Sequence, residues 1–543
     1  MLLDFLRRAG AILAGAAHAM ARWYDDSALG RSTAAVGETF AAAATSSGLG
    51  RLLGWDSDDG WRRSAVISRL NAAWQRFLAW TSSWLAPWLD GSVLLRWWTQ
   101  AAAWCHTAPV VRDSLACRLL RWYYGDSEWP ATSPGAQQES TAQGLGALQG
   151  MTLFALHALV WTVPWIAWSR ILALLLAVTV LMSVRWLAGE RLRGAGLFAP
   201  VLAYLLFTAL ASAVSITVFG SLRDLALLLG GVGVLFAIVN VRDRRDWFGL
   251  LSSVIAMATL VSLYGLYQYM RGAAVASQAW FDVKTNPELT SRVFSTFGNP
   301  NTLAMYLELT LPLAIGLVVS ERAPLKRALY AAMSLVMLGA LVLTMSRGGW
   351  LALACGAVVF LALIDARTLW LVPLAAAVAY VFLPPVFRTR LATIGSLKDA
   401  SNAYRVNIWI AATRMIRDFW PTGVGFGYRA FMPVYNYYRL RAQPAYHAHN
   451  FYLEQLAELG IIGFVLFVWL MVRLAGAGLR ALAAHEDPRP RAVAAGALAA
   501  LAGIMLHGLF EDIFYLPTVI ATFWITMGLM AAARQPAPDK PTQ

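Results

Sequence analysis

The residues best placed to do chemistry are Tyr446-His447-Ala448-His449-Asn450, where a polar stretch runs into FYLEQLAELGIIGFVLFVWL. Histidine is the side chain best suited to take a proton near neutral pH. At the edge of a membrane-spanning segment it could act on something the membrane holds; alternatively, His and Asn here cap a helix. A second point is Thr344-Met345-Ser346-Arg347-Gly348-Gly349, with apolar segments on both sides. An arginine at that depth is expected to have a partner. Its planar fork of donors suits phosphate oxygens, and the glycines admit close approach. The plainer reading is snorkelling to lipid phosphate. A third is Ser291-Arg292-Val293-Phe294-Ser295-Thr296-Phe297-Gly298-Asn299-Pro300-Asn301. A fourth is residues 402–412, whose spacing predicts a helix with Arg405 and Trp409 on one face. The alternating glycines of Pro421-Thr422-Gly423-Val424-Gly425-Phe426-Gly427 follow no buried strand and precede no lysine, which excludes a nucleotide loop. They are expected to form a tight turn outside the membrane.

These residues need elements to hold them, and composition says which. The 543-residue chain is 59% hydrophobic and 14% charged, with a mean hydropathy of +0.55. Soluble domains carry about a quarter charged residues, so an all-α polytopic membrane protein is expected. Apolar runs of spanning length fall near 151–169, 171–188, 197–218, 222–240, 247–270, 300–320, 327–345, 349–364, 368–384, 449–472, 492–510 and 516–533, about twelve in all. Alternate loops at 185–193, 241–246, 321–327, 365–368 and 473–491 carry fourteen Lys and Arg, against Arg170, Arg223 and Arg347 in the short loops opposite. Short basic loops stay cytoplasmic, so both termini are expected inside and the histidines outside. Loop 385–448 then lies outside with a net charge of +7, from eight arginines and Lys398 against Asp399 and Asp418. Long loops cross regardless of charge, and the excess suits an anionic substrate or anionic headgroups.

The segments expected are residues 1–150, cytoplasmic and interfacial, then spans one to nine over 151–384 with an outward loop at 271–299. The long outward loop 385–448, spans ten to twelve over 449–533 and a cytoplasmic tail 534–543 complete the chain. The first 150 residues hold a loose Ser-x-x-x-Arg repeat at Ser27, Ser47, Ser92 and Ser114, and 130–147 reads as a linker. Short Trp/Arg amphipathic helices suit the headgroup layer. A signal peptide around Arg7-Arg8 is rejected, because cleavage would reverse the arginine bias of every later loop. No outward disulfide is available to Cys105, Cys117 and Cys355. Glu308 and His507 fall inside spans, as structural or functional groups. Glu454 and Glu458 sit one turn apart, and Glu454 could reach the histidines. The outward carboxylates Asp282, Glu288, Asp399, Asp418, Glu511 and Asp512 are scattered and form no Asp-x-Asp.

The strings FGNPNTLA, SRGGWLAL, YRVNIWIAATRMIRDFWPTGVGFG and HAHNFYLEQLAELGIIG, in that order, resemble the O-antigen ligase and polymerase superfamily. The resemblance covers about 290–470 by motif and 151–533 by span placement. It implies a metal-independent, inverting glycosyltransferase of the bacterial inner membrane, with no cofactor and no nucleic-acid partner. The donor would be an undecaprenyl-diphosphate-linked glycan. The acceptor would be the lipid A core for a ligase, or a second lipid-linked glycan for a polymerase of exopolysaccharide or O-antigen. By the same resemblance Arg347 and Arg292 would bind the diphosphate, with Arg405 as a third cation. His449 would be the base, with His447 the second choice. Asn450 would hold the imidazole tautomer or cap the helix, Glu454 would support the site, and Tyr404 and Trp409 would stack on sugars. A small-solute transporter of bicarbonate type is the alternative from another class. Against it, the polar residues gather on the outer side and the spans show no two-fold repeat.

Overall fold

A backbone inside a bilayer must satisfy its own hydrogen bonds, and helices do so segment by segment. In the computed structural model the described residues are 140–533, except 191, 273–290, 383, 397–399, 441–443 and 485–486, together with parts of 76–100. The Ser-x-x-x-Arg segments apart from Ser92, the tail, Asp282, Glu288, Lys398 and Asp399 lie outside the described residues. The described residues are all-α. The helices are α1 (Ser140–Thr162), α2 (Trp168–Leu187), α3 (Ala195–Ala213), α4 (Val218–Val239), α5 (Arg244–Met270), α6 (Pro300–Ser320), α7 (Pro324–Leu343) and α8 (Arg347–Asp365). They continue with α9 (Leu371–Phe382), α10 (Pro385–Ala392), α11 (Ala400–Asp418), α12 (Tyr428–Tyr438), α13 (Phe451–Ala484), α14 (Pro488–His507) and α15 (Pro517–Ala532).

Among the described residues, ten helical runs are long and apolar enough to cross a membrane, and α15 is apolar but only 16 residues long. The expected spans at 349–364 and 368–384 are α8 and α9. There α8 and α9 form one 36-residue run, joined by the 3-10 turn Ala366–Trp370. Helices α10 to α12 make the expected long outward loop helical.

The chain divides into two compact units. One holds Met1–Leu119, Ser127–Met151 and Leu181–Leu192. Within it Arg185 donates twice to Glu190, at 2.7 and 2.8 Å, with both side chains buried. The other unit contains every candidate site residue.

In that second unit α14, rich in Ala and Gly, lies between α6 and α8. Lipid tails supply no hydrophobic drive between helices, so close backbone approach through small residues does the packing. A Cβ on Gly503 would come within 2.8 Å of the Ala352 carbonyl, and one on Gly316 within 2.6 Å of the Ala492 carbonyl. This fixes the height at which α14 delivers the loop 508–516.

Helix α13 is interrupted at Gly460, whose φ of 61° and ψ of −169° break the spiral. The expected tight turn of 421–427 packs against this break instead of standing free. Val424 N–H donates to Ala457 O and Gly425 N–H to Glu458 O, each at 3.0 Å, and Ile461 N–H donates to Trp420 O at 2.8 Å. The glycines are needed because Gly423 and Gly460 each press against the other segment's backbone. These bonds satisfy the groups that the break exposes.

Gly503→Val is expected to lower the melting temperature of the detergent-solubilised chain by several degrees, since an overpacked core costs about 1–3 kcal/mol. Gly339→Ala, in α7 with nothing within 4 Å of the new Cβ, should leave it level or slightly raised. Thermal unfolding followed by circular dichroism checks both.

Candidate active site

Three of the four motif strings contain a helix N-terminus that a polar side chain caps. Asn299 accepts from Asn301 N–H at 2.8 Å ahead of α6, with Pro300 at the first helical position. Ser346 accepts from Gly349 N–H at 3.3 Å ahead of α8. Asn450 accepts from Tyr452 and Leu453 N–H, both at 3.0 Å, ahead of α13. Of the two roles considered for Asn450, the structure gives it the cap. The three positive-φ residues other than glycine among the described residues sit in these same strings: Ser295 (53°), Met345 (52°) and His449 (48°). Such backbone costs about 1–3 kcal/mol per residue and persists only where the surroundings hold it.

The side chains meet at Glu511, in the loop between α14 and α15. His449 Nδ1 lies 2.6 Å from Glu511 Oε1. Asn301 Nδ2 donates to Glu511 Oε2 at 3.2 Å, and Arg405 Nη2 to the same oxygen at 3.4 Å. Arg292, buried, donates to Asn301 Oδ1 at 3.0 Å and through Nε to Thr344 O at 2.8 Å. Arg347 donates to Thr393 and Asn402, at 3.0 and 3.1 Å. Arg390, also buried, reaches the Met345 carbonyl at 3.4 Å. Burial foremost, then the guanidiniums of Arg390, Arg347 and Arg405, push Arg292 well below the ordinary arginine range against the pull of Glu511. Arg347, Arg390 and Arg405 thus crowd around Arg292.

Burial works to raise the Glu511 carboxyl, but His449, Arg405 and His447 outweigh it and hold it well below the usual carboxylate range. An ionised carboxylate only accepts, so the His449 Nδ1 that faces Glu511 carries a proton and Nε2 is the nitrogen turned away from the carboxylate. His447 differs. Burial first, then His449 and Arg405, push it down to about 3 despite Glu511, and its Nδ1 accepts the His449 N–H at 3.3 Å. It stays neutral and orients the loop. Tyr404 meets the His449 ring edge-on at 5.8 Å and donates to Pro444 O at 2.6 Å. Trp409 Nε1 donates to His449 O at 3.4 Å. Glu454 accepts from Ala448 N–H, so it supports the loop from below and does not touch either imidazole.

His447, His449 and Glu511 place ligand atoms within 4.8 Å of one another, as a metal would require. However, the bond from His449 already occupies Glu511 Oε1, and Arg405 and Asn301 occupy Oε2. The surrounding guanidiniums oppose a cation. The arrangement suits an anion beside a base better than a metal.

One turn inside, Glu308 and His507 form a buried pair at 2.8 Å. Gly348 leaves room for the His507 ring, which a Cβ there would meet at 2.6 Å. The pair therefore underpins the turn that carries Arg347.

Sequence reading brought together Arg292, Arg347, Arg405, His447 and His449, and the structure places all five in one region. It missed the part played by Glu511, which looked like one scattered carboxylate, and it did not single out Arg390. The signal for Glu511 was its place four residues beyond His507, at the outer end of a span. For Arg390 the sequence offered only one arginine among eight.

Residues 332–468 match the family model described as O-antigen ligase. That stretch contains Arg347, Arg390, Arg405, His447 and His449, and it leaves out Arg292 and Glu511. No curated protein matches the chain.

Stability should fall on acidification. A histidine at about 3 when folded and 6.5 when unfolded takes up protons only on unfolding between those values. Its contribution is therefore complete above 6.5 and is lost progressively as pH falls towards 3, by up to about 1.4 kcal/mol per pH unit. His447→Asn should flatten the melting temperature of the solubilised protein between pH 6.5 and 4. An unchanged slope would assign the acid sensitivity elsewhere.

Proposed function

We propose that the chain, which matches the O-antigen ligase family model over residues 332–468, is a membrane glycosyltransferase that moves a glycan from undecaprenyl diphosphate to an acceptor hydroxyl. The reaction takes place at the outer face of the bacterial inner membrane, in the manner of an O-antigen ligase. The loop arginines support cytoplasmic termini, with the site facing outward. The observation that carries the proposal is a histidine held by a buried carboxylate next to four guanidiniums.

The donor brings its own leaving group, and the diphosphate oxygen gains negative charge as the anomeric bond breaks. Arg292, Arg347 and Arg390 are already crowded with like charge, so an incoming polyanion relieves their repulsion and is held by them. Arg405, shared with Glu511, links this anion site to the base. Positioned cations stabilise developing charge most where water is excluded. This is the work a metal does in other transferases, and it supports a metal-independent reaction.

The acceptor hydroxyl donates to His449 Nε2. As its oxygen bonds to the anomeric carbon, the proton passes to Nε2 and the carbon–oxygen bond to the diphosphate breaks. The electron pair leaves on the diphosphate. Glu511 stabilises the imidazolium and fixes its tautomer, as the acid of a His–acid pair does. A hydroxyl that attacks opposite the departing diphosphate inverts the anomeric carbon.

Purified protein with undecaprenyl-diphosphate-linked glycan and lipid A core tests the proposal. Capped core is the expected product, and lengthened lipid-linked glycan would instead identify a polymerase. Arg347→Ala and His449→Ala should reduce transfer to background while the protein stays folded. Glu511→Gln should lower kcat by about 10²–10⁴-fold with a smaller change in KM, the scale of a lost base. Wild-type turnover in His449→Ala would sink the mechanism.

A further inference from the structure

The histidine pair has a second neighbour, opposite in character to the arginines. The Tyr515 ring lies tilted at 4.6 Å from that of His447, whose centre is 4.1 Å from that of His449. Tyr428 meets Tyr515 edge-on at 5.1 Å. Four aromatic rings therefore run from Tyr428 to His449 without a gap, and all four are partly exposed.

Beneath Tyr428 and Tyr515 is a cavity of about 50 Å³. Asp224, Glu454, Glu458 and Asp512 line it. Room for one water is about 10–15 Å³ by this measure, so it admits a few waters or a hydroxymethyl group, but not a whole sugar ring. One of its carboxylate oxygens, Asp224 Oδ2, is buried without a hydrogen-bond partner, while the Glu454 and Glu458 carboxyls share a hydrogen bond. A buried acceptor oxygen left unpaired costs about 1–3 kcal/mol, which a ligand donating hydroxyl protons removes. Asp224 is held at the rim by Arg429, 3.5 Å away. Gly427 (φ 91°) lets the backbone pass where a Cβ would strike the Asp224 carboxylate.

Aromatic faces beside carboxylate acceptors match one ligand chemistry well. Apolar C–H faces pack on the rings, and the ligand's hydroxyls donate to the oxygens. We infer that Tyr428, Tyr515 and Asp224 form the subsite for an uncharged pyranose of the acceptor, one ring away from His449. Asp224 takes one hydroxyl at the rim, and the cavity receives a hydroxymethyl group facing Glu454. The donor diphosphate then occupies the arginine side and the acceptor the tyrosine side, with His449 between them. This rests on the proposed transfer reaction for its meaning but not for its test.

Saturation-transfer NMR on the full chain in phosphatidylcholine nanodiscs reads binding without turnover. The probes are the methyl glycosides of glucose, galactose and N-acetylglucosamine, with methyl glucuronide as the anionic counterpart. At least one uncharged glycoside should show transfer to its ring C–H protons, and the glucuronide should not. Tyr515→Ala and Asp224→Asn should each weaken it about ten-fold, the scale of one stacked ring or one charged hydrogen bond. Tyr515→Phe, which keeps the ring, should retain it, and so should Arg347→Ala. Absence of transfer to every uncharged glycoside would overturn the subsite, as would signals indifferent to Tyr515→Ala and Asp224→Asn. An inactive transferase that still binds the glycoside through Tyr515 would refute the proposed reaction alone.

Discussion

The bond between Glu511 and His449 is the contact on which the candidate site depends. A buried carboxylate is costly unless it is paired and hydrogen-bonded, and Glu511 is paired with His449, Asn301 and Arg405 at once. Those partners come from three motif regions far apart in the chain. Breaking that set would leave an uncompensated charge among buried groups, so the carboxylate holds the strings in register. It also decides which imidazole nitrogen is turned away from it.

Around this contact the charges separate. Guanidiniums gather near the N-termini of α6 and α8, whose dipoles also favour an anion. Carboxylates and tyrosines gather on the side of α4, α12 and the start of α13. Either group alone would be a costly concentration of charge or unpaired polar atoms. Side by side across two histidines, they make the proposed site, suited to an anion on one flank and to hydroxyl groups on the other. Backbone strain at Ser295, Met345 and His449 fits the same account, because all three occur in the strings that carry Arg292, Arg347 and His449.

The scaffold accommodates this through close packing and a deliberate break. Small residues on α14 let it lie against α6 and α8, which sets the position of Glu511 to within what backbone contact allows. Gly460 interrupts α13, and the 421–427 segment satisfies the exposed groups. The run of alternating glycines, unfit for a nucleotide, is explained by that close backbone pairing.

Much of this was legible in the sequence. Apolar runs of spanning length can only be helices in a bilayer, and ordered strings such as HAHN and SRGG mark where polar groups meet the helix ends. These signals are local, and each is carried by consecutive residues. What consecutive residues could not say is which carboxylate faces His449, or that Arg390 joins Arg292, Arg347 and Arg405. Nor could they say that the Asn450 side chain accepts from the first N–H groups of α13. Glu511 and His449 are 62 positions apart, and Arg405 is 106 from Glu511. Only helix packing brings such pairs to bonding distance, because it is backbone approach between α6, α8 and α14, and not the order of residues, that sets where each loop arrives.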